Sequence, residues 1–303
     1  MNYIMLSKRP NKFYRFTGVT LNMFQKLVQE IEPLWQEAER QRLLRPNRGR
    51  ASGAGGKYKL CDFRDKLLVI LMYYRLYLTY EILQEFFDVH YSNLNRLVNR
   101  LEPLLATDIK PRIAKGLKKR IGTWEEFCDM YPDLVDVVVD ATEQRLQRPK
   151  GWKRQKKYYS GKSKRHAIKT QIVVSRAGKI LLISQSVPAS IHDYTLLKRS
   201  TIMDRLPLEA TKHFDLGYLG IEDDFPDHTT VLPRRKPRNR ELPAHDKRQN
   251  RRKAIIRLIV EHAIAKLKKF QILAQTYRNT RARYNQKFQI IAGLVNLRMS
   301  LAT

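Results

Sequence analysis

The sequence predicts an α/β protein whose first third is helical and whose strands begin only after residue 134. Three observations carry that expectation. Residues 62 to 105 repeat apolar side chains at helical spacing. Residues 135 to 142, Val-Asp-Val-Val-Val-Asp-Ala-Thr, form a β-branched run that suits a buried strand and is too short for a helix. Residues 167 to 175 and 179 to 187 read as two strands around a turn at Ala177-Gly178. The β-branched run delivers a carboxylate, Asp140, at its end. Two readings of that acid stand side by side: a cap or ion-pair partner among many cations, or one member of a metal-holding set.

Composition sets the outer limits. With 303 residues, 43% hydrophobic and 10% aromatic, the chain can bury a sizeable core and build two domains. A net charge of +30 would repel itself unless a polyanion sits against it, and nucleic acid fits better than a membrane surface. The longest apolar run, Leu67 to Tyr74, is too short to span a bilayer, and the N-terminus lacks a signal-peptide layout, so a soluble intracellular protein is expected. Cys61 and Cys128 lie in no CxxC pair, which argues against a disulfide framework or thiolate zinc site.

The elements follow in order. Residues 13 to 44 carry Phe16, Leu21, Phe24, Leu27, Val28, Ile31 and Leu34 at helical spacing, with Thr20 as N-cap and Pro33 limiting the helix. Residues 45 to 59 are Gly-rich and basic. They read either as a linker or as an arm whose Arg48 and Arg50 enter a minor groove. A first apolar helix spans 62 to 78, a short one starts at Thr79 and a third at Ser92, which is helix-turn-helix spacing. The third helix presents Asn93, Asn95, Arg96, Asn99 and Arg100, side chains able to form bidentate bonds with adenine or guanine edges. Residues after Pro103 read as a connector with a helix at Trp124 to Met130.

Beyond the Asp140 strand, residues 145 to 169 interleave Lys157, Lys162, Lys164 and Arg165 with Trp152, Tyr158 and Tyr159. That mixture suits a solvated basic loop or backbone tracking along DNA. Asp193 opens a helix running through Leu197. A fourth strand is expected to end at Asp215, where Gly217 permits a tight turn, and a fifth at 229 to 232. Residues 234 to 253 hold ten Lys or Arg and read as a mobile insertion or a solvated loop. The helix from Gln249 to Phe270 contains Glu261, which falls roughly 145° from the centre of its apolar stripe. Geometry alone therefore favours Glu261 as a solvated partner of Arg257 one turn earlier.

Taken in sequence, these stretches resemble a known family. Asp140, the Tyr-Tyr-Ser-Gly-Lys-Ser-Lys segment, the hairpin, Ser-Ile-His-Asp at 190 to 193, Asp215-Leu-Gly-Tyr and Val260-Glu261 followed by Leu267-Lys-Lys-Phe270 together resemble a DDE transposase. The likeness is to the Harbinger-like superfamily and its bacterial insertion-sequence relatives, over residues 60 to 300. It implies a ribonuclease H-like mixed sheet flanked by helices, preceded by an all-α helix-turn-helix domain. It implies Asp140, Asp215 and Glu261 as catalytic and metal-holding acids, with Asp193 as an alternative second acid. Asp215 is preferred because it ends a predicted strand and precedes Glu261 by 46 residues, a spacing similar to the family's.

The resemblance further implies two Mg²⁺ per site, replaceable by Mn²⁺, held by three carboxylates to hydrolyse DNA strands and join 3′-hydroxyl ends to a target. The implied partners are double-stranded DNA, as element ends and as target, and further copies of the chain on DNA, with no membrane. A cytoplasmic location is implied for a bacterial enzyme and a nuclear one for a eukaryotic enzyme. The expected division is 1–44 helical, 45–59 linker, 60–106 helix-turn-helix, 107–133 connector and 134–303 catalytic, with its insertion at 234–253. A transposase-derived DNA-binding regulator without catalysis is the alternative, and a nuclease that cuts without joining is a third reading.

Overall fold

The computed structural model describes residues 1–44, 58–109 and 123–301, so Arg48 and Arg50 lie outside the described residues. The chain forms two compact units. One comprises residues 1–110, 268–275 and 286–303, the other residues 111–267 and 276–285.

The first unit is helical. Helices α1 (Tyr3–Ser7), α2 (Pro10–Thr17) and α3 (Leu21–Leu43) lead into α4 (Phe63–Leu76), α5 (Tyr80–Phe87) and α6 (Tyr91–Ile109). Short polar side chains start several of them: Thr20, Asp62 and Thr79 accept N–H bonds from Met23, Arg64 and Ile82. The apolar run Leu67–Tyr74 is explained by α4, whose residues there are buried on every side. Two expectations fail here. Pro33 does not limit α3 and Pro103 does not end α6; both helices continue through their proline, at the loss of one ladder hydrogen bond each. Helices α4 and α5 instead stop at Tyr77 and Asp88, which adopt left-handed backbone with φ of +53° and +51°. Ser92 lies in the first turn of α6 rather than before it, and His90 Nδ1 meets its hydroxyl at 2.8 Å.

Gly18 shows why an early residue and a late segment belong to one unit. Its φ is +79°, and a Cβ there would stand 2.8 Å from the Phe270 ring. Deeper in the same unit, Glu102 is fully buried. It accepts from Tyr74 Oη at 3.0 Å and faces Lys287 Nζ at 2.7 Å. That pair joins α6 to the last helix, counted below as α13.

The second unit starts with α7 (Trp124–Met130), as predicted, and then β1 (Asp136–Arg145). Next come α8 (Trp152–Tyr158), β2 (Tyr159–Ser160), β3 (Arg165–Ser175), β4 (Ile180–Ile183), β5 (Val187–Pro188), α9 (Asp193–Arg199) and β6 (Thr211–His213). The unit continues with α10 (Ile221–Asp224), β7 (Thr230–Val231) and α11 (Ala244–Lys268); α12 (Gln271–Ala274) and α13 (Tyr284–Ser300) end the chain. Among the described residues the sheet runs β2-β3-β1-β6-β7, with β4 and β5 also paired to β3. β1 is antiparallel to β3 and parallel to β6, and β6 is parallel to β7. This is the mixed, helix-flanked sheet expected from the sequence.

Alternation along β1 sorts its side chains. Val137 and Val139 join Val173, Leu181, Leu197, Phe214 and Tyr218 in the core on the α9 side. Four details depart from expectation. The strand expected at 179 to 187 is broken into β4 and β5, with residues 184 to 186 outside the ladder. The basic stretch after β1 contains a helix, α8. The predicted fourth strand stops at His213, two residues short of Asp215. The basic insertion is only partly irregular, because α11 begins at Ala244. Its irregular part is tied down: Arg234 Nη1 pairs with the buried Asp246 at 2.9 Å, and Lys253 Nζ donates to Leu232 O at 2.6 Å.

Candidate active site

The site is built where parallel pairing stops. β1 runs on to Arg145 against β3, so Asp140 lies inside the strand and not at its end. On its other side the partner β6 pairs only as far as Val138↔His213. Asp140 therefore emerges two residues past the last parallel bridge, where the neighbouring strand has turned away. The carboxyl ends of parallel strands in such sheets leave a crevice, and a carboxylate placed there is accessible while its backbone stays fixed by β3.

Asp140 Oδ1 accepts the Ala141 N–H at 2.7 Å. Burial raises its pKa to about 6, opposed by that N–H and by Arg257, and assisted by the neighbouring negative charge of Asp215 and Asp193. A carboxylate in that state is short of positive charge.

Asp215 follows β6 by two residues and caps the turn Leu216–Tyr218, accepting the Leu216 N–H at 2.5 Å. Glu261 comes from α11, where Val260, Ala263 and Leu267 are buried. Its own side chain is half exposed, as its place off the apolar stripe requires. Arg257, one turn earlier, stands between the two acids: Nη1 is 3.4 Å from Asp215 Oδ1 and Nη2 is 3.9 Å from Glu261 Oε1. The expected Arg257–Glu261 pair is therefore present, and the same guanidinium reaches Asp215.

Asp193 has a different partner. Its Oδ1 lies 2.7 Å from Nζ of the buried Lys169. Lys169 also donates to Ile191 O at 2.8 Å, and its Nζ is 3.7 Å from Glu143. The Tyr218 hydroxyl accepts from Gln171 Nε2 at 2.6 Å, and burial together with Asp193, Asp140 and Asp215 pushes its phenol well above the usual range. Gln171 is not singled out by the sequence, Lys169 reads only as one of the cations of 145 to 169, and Tyr218 only as part of the Asp215-Leu-Gly-Tyr stretch. The signal available was a lysine and a glutamine inside an otherwise apolar strand, Ala-Ile-Lys-Thr-Gln-Ile-Val-Val.

The donor set suits a hard divalent cation, because Asp140, Asp215 and Glu261 offer only carboxylate oxygens. The desolvated Asp140 supplies the electrostatic demand for one, and Arg257 meets part of the demand at the other two acids. Among the described residues no three His, Cys, Asp or Glu side chains stand close enough to hold a metal ion as they are placed.

The DNA-facing candidates fall in two places. On α6, Asn93, Asn95 and Arg96 are exposed, with Arg96 Nη1 donating to Asn93 at 3.1 Å and Asn99 to Asn95 at 2.8 Å. Arg100 instead turns inward, its guanidinium 4.8 Å from the Trp35 ring centre and paired with Glu39. In the second unit Lys157, Lys162, Lys164 and Arg165 are exposed, while the Tyr158 ring is half-buried under the Arg281 guanidinium, 4.3 Å away. No helix among the described residues is long and apolar enough to cross a membrane.

Comparison with known proteins adds three findings. Residues 139–296 match the family model described as DDE superfamily endonuclease. Residues 58–111 match the model for the helix-turn-helix of DDE superfamily endonuclease. The chain is also 30% identical, over 96% of its length and 95% of the relative's, to the probable transposase for insertion sequence element IS702 of Microchaete diplosiphon. No solved structure matches the chain.

Proposed function

The chain belongs to the DDE superfamily endonucleases, and from that premise we propose that it is an insertion-sequence transposase with Asp140, Asp215 and Glu261 as its acids. It binds the ends of a mobile element, hydrolyses phosphodiester bonds there and directs the freed 3′-hydroxyls into target DNA. The reading rests most on one observation: a desolvated Asp140, past the last parallel bridge, shares a neighbourhood with Asp215 and with the Arg257 that bridges to Glu261.

The three acids would hold two Mg²⁺, or Mn²⁺ in their place. Bound there, such ions lower the pKa of an attacking water or 3′-hydroxyl and stabilise the leaving oxygen. The chain supplies the rest. β3 fixes the backbone of Asp140, so that carboxylate costs little to orient at the moment of reaction. The capped turn at Leu216 fixes Asp215, while Arg257 and Glu261 sit one turn apart on α11 with Arg257 facing both acids. Lys169 keeps Asp193 neutralised, which favours Asp215 over Asp193 as the second acid. The exposed cations of residues 157 to 165 and of α6 hold the DNA, the former through phosphates and the latter through base edges.

Nicking of supercoiled plasmid bearing the element's ends tests this reading, with Asp140→Asn, Asp215→Asn, Glu261→Gln and Asp193→Asn compared after equal DNA binding is confirmed. Metal-dependent nicking that is abolished in the first three and retained in the fourth is expected. Loss in Asp193→Asn with retention in Asp215→Asn reverses the choice of second acid. No nicking by a folded, DNA-binding wild type leaves the regulator reading in its place.

A further inference from the structure

Glu143 is a half-buried charge that the reaction described above does not use. It lies on β1 three residues beyond Asp140, with its side chain 18% exposed. Its carboxylate accepts two serine hydroxyls, Ser160 Oγ at 2.9 Å and Ser163 Oγ at 2.7 Å, and its Oε1 faces Lys169 Nζ at 3.7 Å. Ser160 is buried and also accepts the Ser163 N–H at 3.2 Å. These bonds tie down one feature, the tight connection between β2 and β3, where Ser160 pairs with Arg165.

That connection has unusual chemistry. Lys164 adopts left-handed backbone, φ +53°, a conformation that disfavours a side-chain-bearing residue by about 1–2 kcal/mol and persists only where surroundings enforce it. Lys162, Lys164 and Arg165 all point to solvent, and among the described residues none of them pairs with a carboxylate. The acid nearest the turn, Glu143, lies beneath it and is spent on the serines. Arg165 Nε donates back to the Ser163 carbonyl at 3.2 Å, so a hairpin tip that leaves Lys162 and Lys164 free while being held from below is shaped to grip a polyanion. Lys169 then links Glu143 to Asp193 and the Ile191 carbonyl, at the entrance of α9. Asp193 Oδ2 in turn lies 4.0 Å from the point where a Cβ on Gly217, two residues after Asp215, would stand. A chain of polar contacts thus runs from the basic turn through Glu143 and Lys169 to Asp193.

We propose that Glu143 is a positioning residue: through Ser160 and Ser163 it holds the turn 160–165 as a phosphate clamp, and through Lys169 it keeps that clamp in register with the acid site. The proposal rests on the transposase reading for its DNA substrate. It predicts an effect of Glu143 on DNA that passes entirely through Lys162 and Lys164.

The test is the salt dependence of DNA binding by the full chain, read by fluorescence anisotropy on a labelled random-sequence duplex and on a labelled duplex of the element's own end. Each phosphate contact contributes about 0.9 to the slope of log K against log salt. The Lys162→Ala/Lys164→Ala double variant should lose about 1.8 from the slope, so that wild-type binding falls roughly twelvefold more between 50 and 200 mM salt. Glu143→Gln, which cannot accept from both serines, should lose a similar amount. Added to the double lysine variant it should lose nothing more, a non-additivity that a merely structural role does not produce. Ser163→Ala, removing one of the two bonds, serves where Glu143→Gln fails to fold and should move the slope in the same direction. An effect on both duplexes marks a clamp for any DNA, and an effect on one assigns it to that DNA. Unchanged slopes in Glu143→Gln and Ser163→Ala, or losses that add in the triple variant, overturn the proposal. A wild type with no salt-dependent DNA binding overturns the transposase reading as well.

Discussion

Replacing Asp140 with Asn should make the protein more stable. The carboxyl titrates near 6 in the folded chain against an ordinary value of 3.8, because burial disfavours its charged form. A raised carboxyl means the folded state binds more protons than the unfolded state between those two values. Stability therefore falls as pH rises through that window, and the full loss is present above about pH 6. The shift corresponds to about 3 kcal/mol at pH 7.5, and to about 1 kcal/mol at pH 4.5 where the folded carboxyl is mostly protonated. Asn keeps an oxygen to accept the Ala141 N–H and carries no charge. At roughly 2 °C per kcal/mol for a chain of this length, Asp140→Asn should melt about 6 °C above wild type at pH 7.5, with the gap reduced to about 2 °C at pH 4.5. Differential scanning fluorimetry at the two pH values measures this directly, and comparing the gaps cancels any packing difference between the side chains. Mg²⁺ at pH 7.5 should raise the melting temperature of wild type and leave Asp140→Asn unmoved. A variant that melts at or below wild type at pH 7.5, or a gap that does not change with pH, would refute the claim that Asp140 is a desolvated anion.

Two further outcomes follow from the helical unit. Lys287→Met leaves the fully buried Glu102 without its cation, which should cost about 3–5 kcal/mol in thermal or urea unfolding, whereas Lys287→Met combined with Glu102→Leu should recover most of it. An uncorrected loss in the double variant would show that packing, not charge, sets the value of that pair. Arg96→Ala should relax sequence preference by roughly 1–3 kcal/mol at one base pair in a selection experiment, since Arg96 is exposed on α6, where its Nη1 donates to Asn93. Unchanged selectivity would remove Arg96 from base reading.

Local chemistry determined much of this protein. The valines of β1, the hairpin turn at Gly178, the caps at Thr20 and Thr79 and the apolar α4 each depend on neighbours in the chain, so their elements were legible in the residues. The family likeness likewise named three acids in order. What the sequence could not hold is anything that depends on partners distant in the chain. Pro33 and Pro103 read as stops, yet α3 and α6 continue through them, because the helix faces they extend are packed and one lost ladder bond is small against that burial. Arg100 read as a base-edge donor, and Trp35 with Glu39, over 60 residues earlier, draws it inward. Most of all, the surroundings of the acids follow from where strands stop and which cations arrive. β6 ends at His213 and frees the side of Asp140, Arg257 reaches both Asp215 and Glu261, and Lys169 takes Asp193. Alternation and periodicity fix which face a side chain takes along its own element; only the folded chain brings the charge that answers it.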